Sequence, residues 1–187
     1  MNKKSKIFDR RNFLKSSFAF CFGSLALPSV LAAKTKKTQN KTLKLFNINT
    51  REHLTVTYYK DGAYVKSALD KIDHIMADKR SKQIMKTDLV LIDTLHKIQT
   101  RSNAKEPITL ICGYRAPATN SKLVKSKKGV AKGSYHTRGQ AADIKIPGVE
   151  LSDIKKIAES LKKGGVGYYP NSGFVHVDVG PTRTWRG

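Results

Sequence analysis

The chain is poor in cysteine, in acidic residues and in tryptophan, and these shortages limit what it can be. Its 187 residues contain two cysteines, Cys21 and Cys112, so a metal site closed mainly by thiolates is excluded. Only 14 residues are Asp or Glu against 36 Lys or Arg, which gives a formal net charge of +22 at pH 7. A charge of this size favours anionic partners.

The longest apolar segment lies near the N-terminus and has the features of a secretory signal. Residues 1–15 are strongly basic, and residues 16–33 are apolar with interspersed Ser and Gly. Small residues at Val30-Leu31-Ala32 or Leu31-Ala32-Ala33 offer a cleavage site. The uninterrupted apolar core is too short for a membrane span. We therefore predict a cleaved signal peptide over 1–33 and no transmembrane span after its removal.

Two adjacent arginines make this segment resemble a twin-arginine export signal. The run Asp9-Arg10-Arg11-Asn12-Phe13-Leu14-Lys15 places the pair ahead of a moderately hydrophobic core. The alternative is a general secretory signal whose basic region happens to contain adjacent arginines. Both predict export to the periplasm or cell envelope. Cleavage would also remove Cys21, so that Cys112 has no partner for an intramolecular disulfide.

The positive charge continues through the rest of the chain. Residues 1–33 hold six basic residues and one acidic residue, so the remainder keeps 30 against 13 and a net charge of +17. Such charge favours nonspecific nucleic-acid binding. However, the lysines are scattered, and no helix-turn-helix or aromatic RNA-binding signature is present. For an exported protein we expect no specific nucleic-acid partner, and an anionic wall polymer or membrane surface instead.

Strand and helix patterns follow the signal without regular alternation, which predicts an α+β fold. Residues 34–41 are predicted to be a basic linker, and residues 42–187 a single compact, monomeric domain. We expect a small antiparallel sheet flanked by helices. Strands are predicted at 43–49, 54–59 and about 108–112, and helices at about 67–77, 88–100 and 151–163.

Apolar and polar residues alternate in two further segments, Ala141–Ile146 and Phe174–Val179. This period of two predicts strands with one buried face. The first strand would turn Asp143 away from its apolar neighbours. The second would place His176 and Asp178 together on one polar face.

These side chains and His136, which lies in a glycine-containing turn before the first strand, fit a zinc site. A catalytic zinc ion takes three nitrogen or carboxylate ligands and leaves its fourth position to water. We predict Zn²⁺ as cofactor, with His136, Asp143 and His176 as its ligands. Zinc would acidify water and polarise a scissile carbonyl, while a nearby carboxylate transfers the proton.

Longer segments around these residues resemble zinc peptidases of the D-alanyl-D-alanine peptidase and hedgehog-domain type. Five residues fall on the SxHxxGxAxD motif of that group: Ser134, His136, Gly139, Ala141 and Asp143. Residues 113–120 and 164–185 further resemble the GYRxPxTN and GGVGYYPxSGFVHxDxGPxRxW segments of bacterial murein endopeptidases K. The resemblance covers about residues 42–187 and implies a fold of the hedgehog and D-alanyl-D-alanine peptidase type.

The resemblance also implies a secreted zinc hydrolase that cuts peptide cross-links of peptidoglycan. Two alternatives stay open: a noncatalytic, zinc-containing protein that binds the cell wall, and a D,D-carboxypeptidase of the same fold. Endopeptidases, carboxypeptidases and amidases all present a peptide carbonyl to the same zinc, so the cleaved bond is also open.

The remaining catalytic groups are harder to assign. Several relatives carry a Glu three residues before the second histidine ligand, where this chain has Gly173. By elimination Asp178 is predicted as the catalytic base, and its alternative role is to orient a ligand histidine. Arg115 is the other predicted catalytic residue, because its planar fork of donors suits a substrate carboxylate or a developing oxyanion. The alternative for Arg115 is a surface ion pair.

Overall fold

One eight-stranded sheet and four helices make up residues 39–126 and 130–187, the part of the chain that the computed structural model describes. The predicted signal peptide and most of the predicted linker lie outside the described residues. The strands are β1 (Lys41–Asn47), β2 (Glu52–Lys60), β3 (Ala63–Tyr64), β4 (Ile108–Cys112), β5 (Ala141–Lys145), β6 (Gly165–Tyr169), β7 (Phe174–Asp178) and β8 (Arg183–Arg186). The helices are α1 (Lys66–Ile75), α2 (Leu89–Arg101), α3 (Pro117–Ser126) and α4 (Leu151–Leu161), with a 3₁₀ turn at Tyr135–Arg138.

The sheet is larger than the sequence predicted. Its order is β3-β2-β1-β4-β5-β7-β6-β8. Strand β1 pairs parallel with β4, and β6 pairs parallel with β8, whereas the other neighbours are antiparallel. The prediction of a single domain that mixes helices and strands is confirmed, but the prediction of a small antiparallel sheet is not, because the sheet has eight strands and two parallel pairs. The alternation in short segments says nothing about which strands become neighbours.

The hydrophobic core lies on one face of the sheet, beneath α1, α2 and α4. Helix α2 buries a stripe at helical spacing, and Leu91, Leu95 and Ile98 have no exposed surface. The core also takes the alternate residues of β5 and β7, such as Ile144 and Val175. The polar residues between them are therefore left on the opposite face.

The predicted helices and strands recur with shifts of one or two residues at most of their ends. Helix α2 begins where Asp88 accepts a hydrogen bond from the Val90 backbone N–H at 2.8 Å, an N-cap that satisfies a free helical donor. Helix α4 ends at Leu161, and its C-cap, Lys162, adopts a left-handed conformation with φ of 50°. Among the described residues, no helix is long and apolar enough to cross a membrane.

Asp93 connects helix α2 to strands β1, β2 and β3. Its carboxylate accepts hydrogen bonds from the Lys41 ammonium at 2.8 Å, the Tyr58 hydroxyl at 2.8 Å and the Tyr64 hydroxyl at 3.0 Å. Burial alone would raise the pKa of Asp93, but these three donors lower it below its ordinary value. The folded state therefore favours the ionised carboxylate.

We expect Asp93→Asn to reduce the free energy of unfolding near neutral pH by up to about 1 kcal/mol. Because the folded pKa is depressed, the contribution of Asp93 is present above the unfolded pKa of about 3.9 and is lost as the pH falls through the folded pKa. Urea unfolding at a series of pH values should show the two proteins converging in acid. The control is Asp153→Asn, which removes an exposed partner of Lys156. A difference that does not change with pH would contradict this account.

Candidate metal centre

The pairing of β5 with β7 brings two of the predicted ligands together. The two strands are antiparallel, and their register places Asp143 directly opposite His176. Ala142 and Val177 form the neighbouring pair and are buried in the core. Because side chains alternate along a strand, Asp143 and His176 both extend from the face opposite the core.

The 3₁₀ turn brings His136 to the same place. Ser134 begins the turn and accepts a hydrogen bond from the His136 backbone N–H at 3.4 Å. Gly139 ends it with φ of 69°, where a Cβ would lie 2.4 Å from the Lys86 carbonyl oxygen. Only glycine meets both requirements. The turn then leads directly into β5, so His136 reaches the side chain of Asp143.

Three ligand atoms meet in a triangle. His136 Nε2 lies 3.2 Å from Asp143 Oδ1 and 3.2 Å from His176 Nδ1. His176 Nδ1 lies 2.8 Å from Asp143 Oδ1. All three side chains are largely buried, with 4 to 12% of their surface exposed. We call these three atoms the ligand triangle.

The outer nitrogens of both imidazoles are occupied. His136 Nδ1 lies 2.7 Å from the Gly113 carbonyl oxygen, which can only accept a hydrogen bond. His176 Nε2 lies 3.1 Å from Asp178 Oδ2. With their protons on these outer nitrogens, both rings direct a lone pair into the triangle, where Asp143 Oδ1 adds a third acceptor. Three acceptors at this separation would repel one another and would favour a cation among them.

The donor set suits a zinc ion. Two imidazole nitrogens and one carboxylate oxygen match the three protein ligands of catalytic zinc sites. A hydrogen bond from the outer nitrogen of each histidine is the usual means of fixing such ligands. The residues present therefore fit the metal that the sequence predicted.

Protons are the other cations that this cluster favours. Burial would lower the pKa of His136, but the Asp143 charge and the neighbouring Cys112 raise it well above its ordinary value. Burial would raise the pKa of Asp143, but His136 and His176 lower it. A bound zinc ion or a protonated His136 would thus each place a positive charge beside Asp143.

Cys112 is a competing ligand on β4. It pairs with Asp143 across the β4–β5 ladder, and its Sγ lies within 4.8 Å of ligand atoms of both His136 and Asp143. His176 is the closer candidate for the third ligand, because its Nδ1 is 2.8 and 3.2 Å from the other two atoms of the triangle. The thiol instead accepts a hydrogen bond from Arg115 Nη2 at 3.5 Å.

Asp178 lies behind His176 and outside the ligand triangle. Its side chain has no exposed surface and accepts hydrogen bonds from Arg183 at 2.6 and 3.1 Å. The backbone N–H groups of Gly165 and Gly180 donate to it at 3.0 and 2.8 Å. Burial would raise the pKa of Asp178, but His176, Arg183 and these amides hold it well below the ordinary range. The carboxylate is thus fully engaged and strongly favours the ionised form.

Arg115 borders the ligand triangle on the β4 side. Its Nη2 is 4.0 Å from Asp143 Oδ2, and only 14% of its side chain is exposed. Nη1 donates to Asn120 Oδ1 at 3.2 Å, and the Asn120 amide in turn donates to the carbonyls of Ala131 and Lys132. The guanidinium is therefore oriented toward the site rather than held in a surface ion pair.

Sequence reasoning missed several residues around the site. Gly113 contributes its carbonyl oxygen, which no pattern of side chains reveals. Arg183 binds Asp178, and Trp185 lies near His176 with ring centroids 5.3 Å apart. Both residues belong to the GPxRxW segment that marked the resemblance. The sequence therefore pointed to this segment but did not indicate what Arg183 and Trp185 do.

The chain is similar to known proteins over most of its length. The family model described as peptidoglycan L,D-endopeptidase MepK matches residues 34–185. The probable peptidoglycan L,D-endopeptidase MepK of Haemophilus influenzae is 42% identical over 166 residues, which cover 88% of this chain and 89% of that protein. The peptidoglycan L,D-endopeptidase MepK of Escherichia coli K12 is 40% identical over 163 residues, with 87% and 90% covered. No solved structure matches the chain. With most of its length matched, this chain belongs to the peptidoglycan L,D-endopeptidase MepK family.

Proposed function

We propose that the protein is a zinc-dependent endopeptidase that hydrolyses L,D peptide cross-links of peptidoglycan. The names of its relatives supply the substrate and the bond. The observation that best supports a bound metal is the ligand triangle, in which three acceptors lie 2.8 to 3.2 Å apart. The D,D-carboxypeptidase alternative is disfavoured by the L,D bond in those names.

His136, Asp143 and His176 would hold the zinc ion. When bound, zinc supplies Lewis acidity toward water and toward a peptide carbonyl. The protein fixes the histidines for this task from outside the triangle. The Gly113 carbonyl keeps the His136 proton on Nδ1, and Asp178 keeps the His176 proton on Nε2.

Of the two roles left open for Asp178, we propose the orienting one. Its two oxygens already receive five hydrogen bonds, from His176, Arg183 and two backbone amides. A carboxylate in this state has no free lone pair for a water molecule, and its lowered pKa makes it a poor proton acceptor. Asp178 is therefore better suited to hold His176 in one orientation.

Arg115 is proposed to bind the substrate beside the metal. Its guanidinium is nearly buried, donates a hydrogen bond to Asn120 and lies next to the proposed ligand Asp143. A fixed, planar cation at this position can receive a substrate carboxylate or stabilise charge that develops on the carbonyl oxygen.

The cellular setting is part of the same proposal. The basic and apolar pattern of residues 1–33 supports export, and the family match begins at residue 34, next to the predicted cleavage sites. We propose a twin-arginine signal over 1–33, a linker over 34–41 and a periplasmic or envelope domain over 42–187. The hedgehog and D-alanyl-D-alanine peptidase type of fold, a monomeric state and contact with anionic wall or membrane surfaces belong to this proposal as well.

Digestion of purified, cross-linked peptidoglycan tests the function directly. We expect the zinc-loaded protein to remove L,D-cross-linked dimers, as measured by mass spectrometry of the fragments. A chelator should stop the loss, and added zinc should restore it. His136→Ala should be inactive, whereas the matched control His96→Ala, on helix α2, should remain active. Full activity of metal-free protein would contradict the metal requirement. Intact cross-links with zinc bound would favour the noncatalytic wall-binding alternative.

Asp178→Asn separates the two roles of Asp178. If the carboxylate orients His176, zinc affinity should fall about 10- to 100-fold, and activity should recover substantially at saturating zinc. Zinc affinity is measured by competition with a chromophoric chelator, and turnover by hydrolysis of a cross-linked peptide. Unchanged zinc affinity with turnover lost at every zinc concentration would identify Asp178 as the base. Asp153→Asn, on an exposed part of α4, is the control.

A further inference from the structure

A row of paired residues crosses the sheet at the level of the ligand triangle. Asp143 on β5 pairs with His176 on β7, His176 pairs with Gly167 on β6, and Gly167 pairs with Trp185 on β8. Residues that are paired in this way extend from the same face of a sheet. Trp185 is therefore on the face of the site, separated from His176 by a glycine.

Gly167 leaves the space that the indole of Trp185 occupies. A Cβ at this glycine would lie 2.5 to 2.8 Å from Cε2, Cζ2 and Nε1 of the indole. Glycine in the interior of a strand often marks such a close approach. Because Gly167 has no side chain, the indole can extend across β6 toward His176. The ring centroids of Trp185 and His176 lie 5.3 Å apart, and the two ring planes are tilted by 52°.

The orientation of the indole is fixed by its neighbours. Nε1 of Trp185 donates a hydrogen bond to the Tyr169 hydroxyl at 2.8 Å. Tyr169 is itself stacked on Phe174, with ring centroids 4.6 Å apart and planes 19° apart. The Arg183 guanidinium lies 4.9 Å from the indole centroid, and Arg183 is also paired with Asp178. Trp185 is nevertheless only partly buried, so part of this fixed aromatic side chain stays accessible to solvent.

Arg115 and Trp185 border the ligand triangle on opposite sides. Arg115 follows β4 and lies 4.0 Å from Asp143, whereas Trp185 is on β8, beyond His176 and β6. A peptide that places its scissile carbonyl at the triangle and runs across the strands would extend between the Arg115 guanidinium and the Trp185 indole.

Peptide cross-links contain apolar groups that could pack against the Trp185 indole. A peptide bond between two stem peptides requires a side-chain amine, and therefore a diamino acid whose side chain contains methylene groups. Such a side chain is apolar along its length, and a fixed indole binds apolar surface at a low cost in conformational entropy. We propose that Trp185 is a specificity-determining residue that packs against the methylene groups of the cross-linking diamino acid. This inference rests on the proposed endopeptidase function.

The test compares two synthetic cross-linked peptides that differ only in the length of the diamino-acid side chain. One carries three methylene groups and the other carries one. For Trp185→Ala, we expect kcat/KM on the long substrate to fall by about tenfold or more, mainly through KM, and kcat/KM on the short substrate to change by less than about twofold. Trp185→Phe should keep most of the preference, and zinc content should be unchanged in both variants.

Gly167→Ala displaces the indole without removing it and should give the same selective loss. The matched control is Gly133→Ala, whose added carbon would have its nearest contact at 3.9 Å. An equal loss on both substrates, or no loss on either, would overturn the proposal, because a purely structural role does not depend on side-chain length.

Trp185 is the only tryptophan in the chain, so its fluorescence reports binding separately from hydrolysis. Titration of the zinc-loaded wild-type protein with the long peptide should shift and change the emission, and the short peptide should have a smaller effect. An unchanged emission while the long peptide is bound, as measured by calorimetry, would overturn the proposal. If the long peptide binds with an emission change but is not hydrolysed, the contact with Trp185 would be supported. The endopeptidase function would instead be refuted.

Discussion

The antiparallel pairing of β5 with β7 is the constraint on which the site depends. It places Asp143 opposite His176, and a slip of β7 by one residue would move His176 to the core face, away from Asp143. The register is fixed by burial, because Ile144 and Val175 form the next pair and have no exposed surface. Packing of the core and assembly of the ligand triangle are thus a single structural requirement. A core substitution that loosens this pair should therefore disturb the proposed metal site as well.

Around this pair, the orientation of each ligand depends on a neighbour farther out. Arg183 binds Asp178, Asp178 binds His176 Nε2, and His176 then presents Nδ1 to the triangle. On the other side, the backbone carbonyl after β4 fixes His136. The sheet supplies both supports, since β4 and β7 border β5 directly. Ligands held in this way lose little freedom when a metal binds, which is the usual benefit of a pre-formed site.

The sequence revealed the local parts of this arrangement better than their assembly. Alternation around Asp143 and His176 predicted which face each side chain takes, and the apolar stripe of α2 predicted a buried helix, because both periods follow from backbone geometry. Helix α3 escaped prediction because its buried residues, Thr119 and Asn120, are polar and leave no apolar stripe.

Long-range pairing could not be predicted in the same way. The four residues of β8 are too few to show a period, and nothing local indicates that β8 pairs parallel with β6. The position of Trp185 over Gly167 follows only from that pairing. The hydrogen bonds that Asp178 receives were hidden for a related reason, because Arg183 is the first residue of β8 and reaches Asp178 only after the chain has turned back from β7.

The most direct test of the account is X-ray absorption spectroscopy at the zinc edge of the metal-loaded protein. The ligand triangle predicts a first shell of nitrogen and oxygen only, at about 2.0 to 2.2 Å, with the outer-shell scattering of two imidazoles. A sulfur scatterer at about 2.3 Å would show that Cys112 binds the metal, and would contradict the assignment of His136, Asp143 and His176 as its ligands.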